Sequence, residues 1–245
     1  MVVNKIIGTL VDKRLINERL SKAQDSICYL CSGVVGSNAL ICSSCKSSLP
    51  VLKNTCPVCA LPTTTGSLCA NCIQDKKPLI YRTVCPYQYA YPVNKLIHDL
   101  KFHSRLEIVD IFARSLADKI NTDKINLPGC LIPAPLHGSR VRQRGYNQSS
   151  LIAHNLSEKL DLPVINNALF RSRKTVTQSG LTARLRKRNV KDAFAINREV
   201  LSAFDHVAIV DDVVTTGATV REMARMINYA GVKHIDVWVC ARTVI

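Results

Sequence analysis

Eight of the eleven cysteines form four C-x-x-C pairs: Cys28/Cys31, Cys42/Cys45, Cys56/Cys59 and Cys69/Cys72. One such pair supplies two corners of a tetrahedron from a single tight turn, so two pairs close a four-thiolate zinc site. Ten residues separate the first pair from the second, and nine separate the third from the fourth. The repetition predicts two similar knuckle-and-hairpin units in tandem, each with its own zinc ion. An interleaved arrangement, first pair with third and second with fourth, satisfies the same ligand count but is less economical. A lone C-x-x-C would also suit a thioredoxin-like redox site, whereas four with matched spacing point to metal. Every corner is a thiolate and none is left for water, so the expected sites are structural. Cys85, Cys130 and Cys240 sit in apolar stretches and read as buried small hydrophobes.

A second concentration of chemistry is VAIVDDVVTTGATV, residues 207–220. Val207 to Val210 are the short apolar run expected of a strand covered on both faces, as in a parallel α/β sheet. Asp211 and Asp212 follow at its carboxyl end, where open α/β sheets bind ligands. Thr215, Thr216, Gly217, Ala218 and Thr219 then lead into a helix whose Val220, Met223, Met226 and Ile227 recur at helical spacing. Small residues let backbone N–H groups approach an anion, and the helix dipole adds positive potential. Two carboxylates would repel a phosphate unless hydroxyls or a metal lay between. A sugar phosphate with free hydroxyls meets both halves of that description.

Residues 130–156, CLIPAPLHGSRVRQRGYNQSSLIAHNL, repeat the pattern: an apolar strand, a turn with prolines and a glycine, and a helix from about Asn147. Pro133 and Pro135 take the backbone out of the sheet. Leu136, His137, Gly138 and the arginines 140, 142 and 144 then form a candidate second anion site at the same sheet edge. The two-residue spacing of Arg140, Arg142 and Arg144 also suits a solvated strand face. Residues 168–196 join a strand-like opening to a Ser-, Thr- and Gly-rich middle and a basic helical stretch. Such a segment reads as a loop that closes over a polyanion, or as a contact for nucleic-acid phosphates.

These groups need elements to position them. PVNKLIHDLKF and RLEIVDIFARSLADKI carry helical spacing, the first starting on a proline, while TVCPYQYAY and KHIDVWVCART read as strands. His98 and His103 read as surface or satisfied groups, and Trp238 as core or site wall. The expected division is an N-terminal helix over residues 1–24, a double zinc ribbon over 25–75 and an α/β domain over 76–245, joined near the KKP of residues 76–78. The first helix is broken by Lys5, Asp12, Lys13, Arg14 and Glu18 and has no cleavage site, so it is not a secretory signal. No apolar run has the length to span a bilayer. Cysteine-rich and without an export signal, the chain is expected in the cytoplasm. Its net charge of +15 favours polyanionic partners, and the charge is clustered: residues 171–191 hold eight Lys or Arg and no acid.

VAIVDDVVTTGAT resembles the phosphoribosyl-pyrophosphate (PRPP) binding motif of type I phosphoribosyltransferases, at every defining position. Together with the cysteine pairs, YPVNKLIHDLKF, IPAPLHGSRVRQRGYNQ and KTVTQSGLTARLRKRNVKDAF, it makes residues 28–242 similar to the ComF/GntX family of ComFC-like competence proteins. The resemblance implies a double zinc ribbon followed by a parallel-sheet, type I phosphoribosyltransferase-like α/β domain. It implies that Asp211 and Asp212 hold the ribose 2′- and 3′-hydroxyls and help to orient Mg²⁺, which the ligand's own oxygens mainly hold. Thr215, Thr216, Gly217, Ala218 and Thr219 would cradle the 5′-phosphate. Leu136, His137 and Gly138 match the pyrophosphate loop, and Lys174 to Leu181, with Lys174, Thr175 and Gln178, the flexible loop.

The function implied is that of a PRPP- or nucleotide-binding protein in natural transformation, handling incoming single-stranded DNA. Arg184, Arg186, Lys187 and Arg188 form the first DNA patch and Arg140, Arg142 and Arg144 the second. Other competence proteins at the inner membrane are further candidate partners. The alternative is an active phosphoribosyltransferase moving ribose 5-phosphate from PRPP to a nitrogenous acceptor, with Asp211 and Asp212 as its catalytic pair. The intact double acid favours the enzyme, and the acid-free basic stretches favour DNA handling.

Overall fold

The computed structural model describes residues 26–36, 39–172 and 193–244. The helix expected over residues 1–24, the loop residues Lys174, Thr175 and Gln178 and the basic residues Arg184, Arg186, Lys187 and Arg188 lie outside them.

Two small units come first in the chain. The antiparallel pair β1 (Ser26–Ile27) and β2 (Val34–Val35) and the short helix α1 (Ser43–Ser47) make the first; the second ends in α2 (Ala70–Gln74). The strands β3 (Arg82–Val84) and β4 (Tyr87–Gln88) follow, separated because Pro86 has no N–H to give a ladder. Next are the helices α3 (Val93–Phe102) and α4 (Ile108–Thr122). Phe112, Leu116 and Ile120 recur every fourth residue on the buried face of α4. β5 (Cys130–Pro133) leads into α5 (Gly138–Arg144) and α6 (Gln148–Leu160). β6 (Leu169–Arg171) pairs antiparallel with β7 (Phe194–Ile196), followed by α7 (Arg198–Leu201), β8 (His206–Val214), α8 (Ala218–Tyr229) and β9 (His234–Arg242).

The central sheet has the order β3-β9-β8-β5, with β4 also on β9, and every pairing is parallel. Alternation along the strands sends side chains to two cores. Leu131, Ala208, Val210, Trp238 and Cys240 pack with α3, α4 and α6; Cys130, Ile132, Val207, Ile209, Val237 and Val239 pack with α8 and the β6/β7 pair. Both faces are covered, which is why Val207–Val210 of β8 and Val237–Ala241 of β9 are apolar on both sides. Trp238 is fully buried, with Nε1 donating to Asp236 Oδ2 at 3.4 Å. Trp238→Ala would empty the centre of one core, at a cost of about 3–5 kcal/mol. Among the described residues no helix is long and apolar enough to cross a membrane.

Two local expectations change. β8 continues through the acid pair to Val214, with Asp211 opposite Val239 and Val213 opposite Ala241. The equally long β9 extends the ladder, and side-chain partners described below satisfy the acids inside it. The three arginines lie on a helix, not on a strand face. His137 caps the start of α5 by accepting from the Ser139 amide, and Gly145 ends it at φ +81°. Helical spacing therefore puts Arg140 and Arg144 on one side and Arg142 on the other.

Candidate functional site

The two zinc units share one local design. The amide N–H of the residue after each first pair closes back on the first cysteine: Ser32 to Cys28 O and Ala60 to Cys56 O, both at 2.9 Å. Ser32 (φ +60°) and Ala60 (φ +55°) take the left-handed conformation that the knuckle needs. Cys28 N–H donates to Gly33 O and Cys56 N–H to Leu61 O, completing matched turns. Cys42 and Cys69 then cap α1 and α2, so each second pair sits on a helix start. Cys28, Cys31, Cys42 and Cys45 form one cluster, and Cys56, Cys59, Cys69 and Cys72 the other. The tandem pairing is the one adopted.

Cys31 and Cys42 sulfurs lie 3.7 Å apart and those of Cys59 and Cys69 3.6 Å. A tetrahedron with metal–sulfur bonds of roughly 2.3 Å has edges of about 3.8 Å, so both clusters fit structural zinc. None of the cysteines is in a disulfide. Burial alone would raise the Cys28 thiol, but amide donors from Cys42, Cys31 and Leu30 bring it down to about 6, towards the thiolate that binds metal.

Parallel pairing of Pro133 with Val210 brings the ends of β5 and β8 together. α6 starts against them: Asn147 Nδ2 donates to Ala134 O at 3.0 Å, and Ser149 Oγ to Asp211 Oδ1 at 2.9 Å. The same Asp211 oxygen accepts the Asp212 amide at 2.9 Å. Burial, reinforced by the neighbouring Asp212 charge, pushes the Asp211 carboxyl up to about 7. Asp212 is 4% exposed and is ion-paired with Lys101 Nζ, which α3 delivers. Burial opposes the Lys101 charge, and the Asp212 carboxylate more than compensates. The repulsion expected between two acids and a phosphate is thus already reduced from inside the protein.

The small-residue loop has a defined polarity. Arg242 Nη1 donates to the carbonyls of Val214 (3.1 Å) and Thr215, and Arg221 Nη2 to that of Thr216 (2.8 Å). In a trans peptide the next N–H points opposite to the carbonyl. The amides of Thr215, Thr216 and Gly217 therefore face the other way, and among the described residues no protein acceptor takes them. Gly217 is held at φ +78°, a conformation that favours glycine, and a Cβ there would press on Arg221 Nη2 at 3.2 Å. On the carbonyl side, between the loop and the second zinc unit, there is room of ≈ 20 Å³, enough for one water.

A basic rim surrounds the acids. Arg144 stacks its guanidinium 4.9 Å from the Phe102 ring centre and donates to Gln148 Oε1 at 3.1 Å. Burial lowers its pKa while the Asp212 charge raises it. Arg171 is lowered first by burial and then by Arg140, against the pull of Asp211. Arg144 and Arg171 therefore lie in the field of the acid pair, and Arg140 is close enough to act on both arginines. Arg142 is exposed and folds back to within 3.4 Å of the Cβ position of Gly138.

Sequence reasoning assigned no role to Lys101, Ser149, Arg221 or Arg242, and placed Arg171 only at the start of a basic stretch. Except for Arg221, which bonds Thr216 five residues away, their partners are distant in the chain, and an isolated lysine, serine or arginine carries no local signal. His98, Asp99 and His103 also cluster, with His103 Nδ1 2.8 Å from Asp99 Oδ1. The other Asp99 oxygen already accepts from Tyr29 OH (2.6 Å) and Lys95 Nζ (2.5 Å). This cluster fastens the first zinc unit to α3.

Residues 25–73 match the family described as a double zinc ribbon domain. DNA utilization protein YhgH of Escherichia coli (strain K12) is 40% identical over 223 residues, 89% of this chain and 97% of that protein. Competence protein F of Haemophilus influenzae is 38% identical over 180 residues, 71% of this chain and 78% of that protein. A purine phosphoribosyltransferase structure from Pyrococcus horikoshii is 21% identical over 55% of this chain and 82% of that one; its TM-score of 0.30 is too low to carry weight. With four matched thiolate pairs and 40% identity over 89% of its length to the Escherichia coli protein, the chain belongs to the ComF/GntX family of DNA-utilization and competence proteins.

Proposed function

We propose that this protein binds PRPP or a related ribose phosphate where β5 and β8 end, and that it acts in natural transformation on incoming single-stranded DNA in the cytoplasm. The observation that carries the first half is the amide face of Thr215, Thr216 and Gly217 beside an acid pair whose charge Lys101 has partly neutralised. Amides at the start of the twelve-residue α8 suit the 5′-phosphate. Asp211 and Asp212 suit the ribose hydroxyls, and the His137 turn with Arg140 and Arg144 suits the pyrophosphate. Because Lys101 already occupies Asp212, Mg²⁺ would be held chiefly by PRPP oxygens rather than by the protein. The second half rests on the relatives' names, DNA utilization protein and competence protein, and on the net charge of +15.

One observation favours transfer chemistry as a second reading. A carboxyl near 7, as at Asp211, exchanges protons at neutral pH and suits a general base for a nitrogenous acceptor. Calorimetric titration with PRPP, with and without Mg²⁺, tests the first reading. Asp211→Ala with Asp212→Ala should weaken binding without unfolding the protein, and equal affinity for parent and double variant would refute the ribose role. Pyrophosphate release from PRPP in the presence of mixed bases separates an enzyme from a binder.

A further inference from the structure

We infer that Arg242 is a positioning residue through which the second zinc site sets the conformation of the phosphate loop. This rests on reading residues 215–219 as that loop. Arg242 ends β9 and is 5% exposed. Its Nε donates to Cys59 O at 2.9 Å, and Cys59 is a ligand of the second thiolate cluster. Its Nη1 holds the carbonyls of Val214 and Thr215. One rigid guanidinium thus spans from the backbone of a zinc ligand to the peptides whose reversed N–H groups face the anion. Arginine suits the task because its donors form a fixed planar fork; a lysine ammonium is a point charge on a flexible stem.

The second unit is tied to the same sheet edge elsewhere. Thr83 N–H donates to Pro57 O at 2.7 Å and Thr83 Oγ1 to Val58 O at 2.6 Å. Cys59 O is therefore a fixed anchor as long as its cluster is closed by metal. Loss of that metal leaves the Cys56–Cys59 knuckle held only by the two Thr83 bonds, and the Cys59 carbonyl that anchors Arg242 is no longer fixed by its own side chain. With its carbonyls unrestrained, the loop can rotate peptides and misdirect the Thr215 and Thr216 amides. The first zinc unit makes no such contact with the loop among the described residues.

The test uses the full chain as parent, Arg242→Lys and Arg242→Met, each first assayed for zinc content. Titration with ribose 5-phosphate and amide hydrogen exchange over residues 214–219 are then measured on all three. They are also measured on parent depleted of zinc by a chelator. The expected result is two zinc ions in each variant, ribose 5-phosphate affinity lower by about tenfold in Arg242→Met and by less in Arg242→Lys, and faster exchange in the loop. Zinc depletion should reproduce the faster exchange. A lower melting temperature with unchanged affinity and unchanged loop exchange would overturn the inference, because a merely structural arginine behaves that way. If Arg242→Met fails to fold, the depleted parent and Arg242→Lys decide by the same two readouts. If the parent binds no ribose phosphate, the reading of the site falls; loop exchange then decides alone, faster exchange on zinc removal upholding the coupling and unchanged exchange refuting it.

Discussion

The two zinc units have the same knuckle turns and the same four-thiolate clusters, yet they join the rest of the protein by different chemistry. The first docks through side chains. Tyr29 donates to Asp99, with Lys95 and Arg105 lying 4.7 and 4.9 Å from its ring centre. Its Cys28, Val35, Ile41 and Leu49 share a core with α3 and α4. The second docks largely through backbone. Leu52 N–H donates to Pro86 O, Thr83 bonds Pro57 and Val58, and Arg242 bonds Cys59, while Leu52 and Ala60 pack in the opposite core. Side-chain docking tolerates small rotations; bonds to backbone carbonyls at a sheet edge do not. The first unit is therefore an attachment to a helix, and the second an extension of the sheet beside the candidate site.

The largest expected difference comes from opening each cluster. Cys28→Ser and Cys56→Ser should each remove one of two zinc ions by elemental analysis, because site formation and local folding are one process of about 10 kcal/mol or more. Only Cys56→Ser should also lower ribose 5-phosphate affinity substantially. Equal losses in both variants would erase the distinction.

A smaller effect concerns α3, which holds the first unit through Asp99 and the acid pair through Lys101. With Lys101 committed to Asp212, Asp211 is the acid left to titrate, its carboxyl raised from 3.8 to about 7. The folded state therefore holds a proton that the unfolded state has lost between those values, and stability contributed by this group falls as pH rises through the window. Asp211→Asn keeps an acceptor for Ser149 and should flatten denaturation midpoints between pH 4 and about 7 relative to the parent. A parent profile already flat there would place the proton elsewhere.

Tyr29→Phe sharpens the docking contrast at lower cost. It removes a hydrogen bond to a charged carboxylate, so chemical denaturation should show a loss of about 1–3 kcal/mol, with both zinc ions and ligand affinity retained. A fall in affinity would mean that the first unit also acts on the site. The smallest effect is on DNA. If about four phosphates are neutralised, log affinity for single strands should fall with log salt at a slope of roughly −3. Arg140→Glu with Arg144→Glu should reduce affinity and slope together, and a salt-insensitive affinity would move the DNA surface away from the basic rim.

Much of this was readable in the chain because it is local. C-x-x-C spacing specifies a knuckle, helical periodicity specifies α4 and α8, and VAIVDDVVTTGATV contains strand, acids and small residues in one unbroken stretch. Lengths and ends were less legible: β8 runs past its acids because β9 is there to pair with it, and α5 exists because His137 and Gly145 cap a run that read as a turn, its alternating arginines also suiting a strand face. The sequence by itself determined which residues cluster as four-thiolate sites fit for zinc and which stretch carries acids and a loop of small residues, since those properties depend on neighbours a few residues apart. Only the tertiary structure decided that Lys101 neutralises Asp212 and that Arg242 ties Cys59 to Val214 and Thr215. Those contacts join groups from 27 to 183 residues apart, and a single charged side chain gives no local pattern to reveal its partner before the sheet brings the two together.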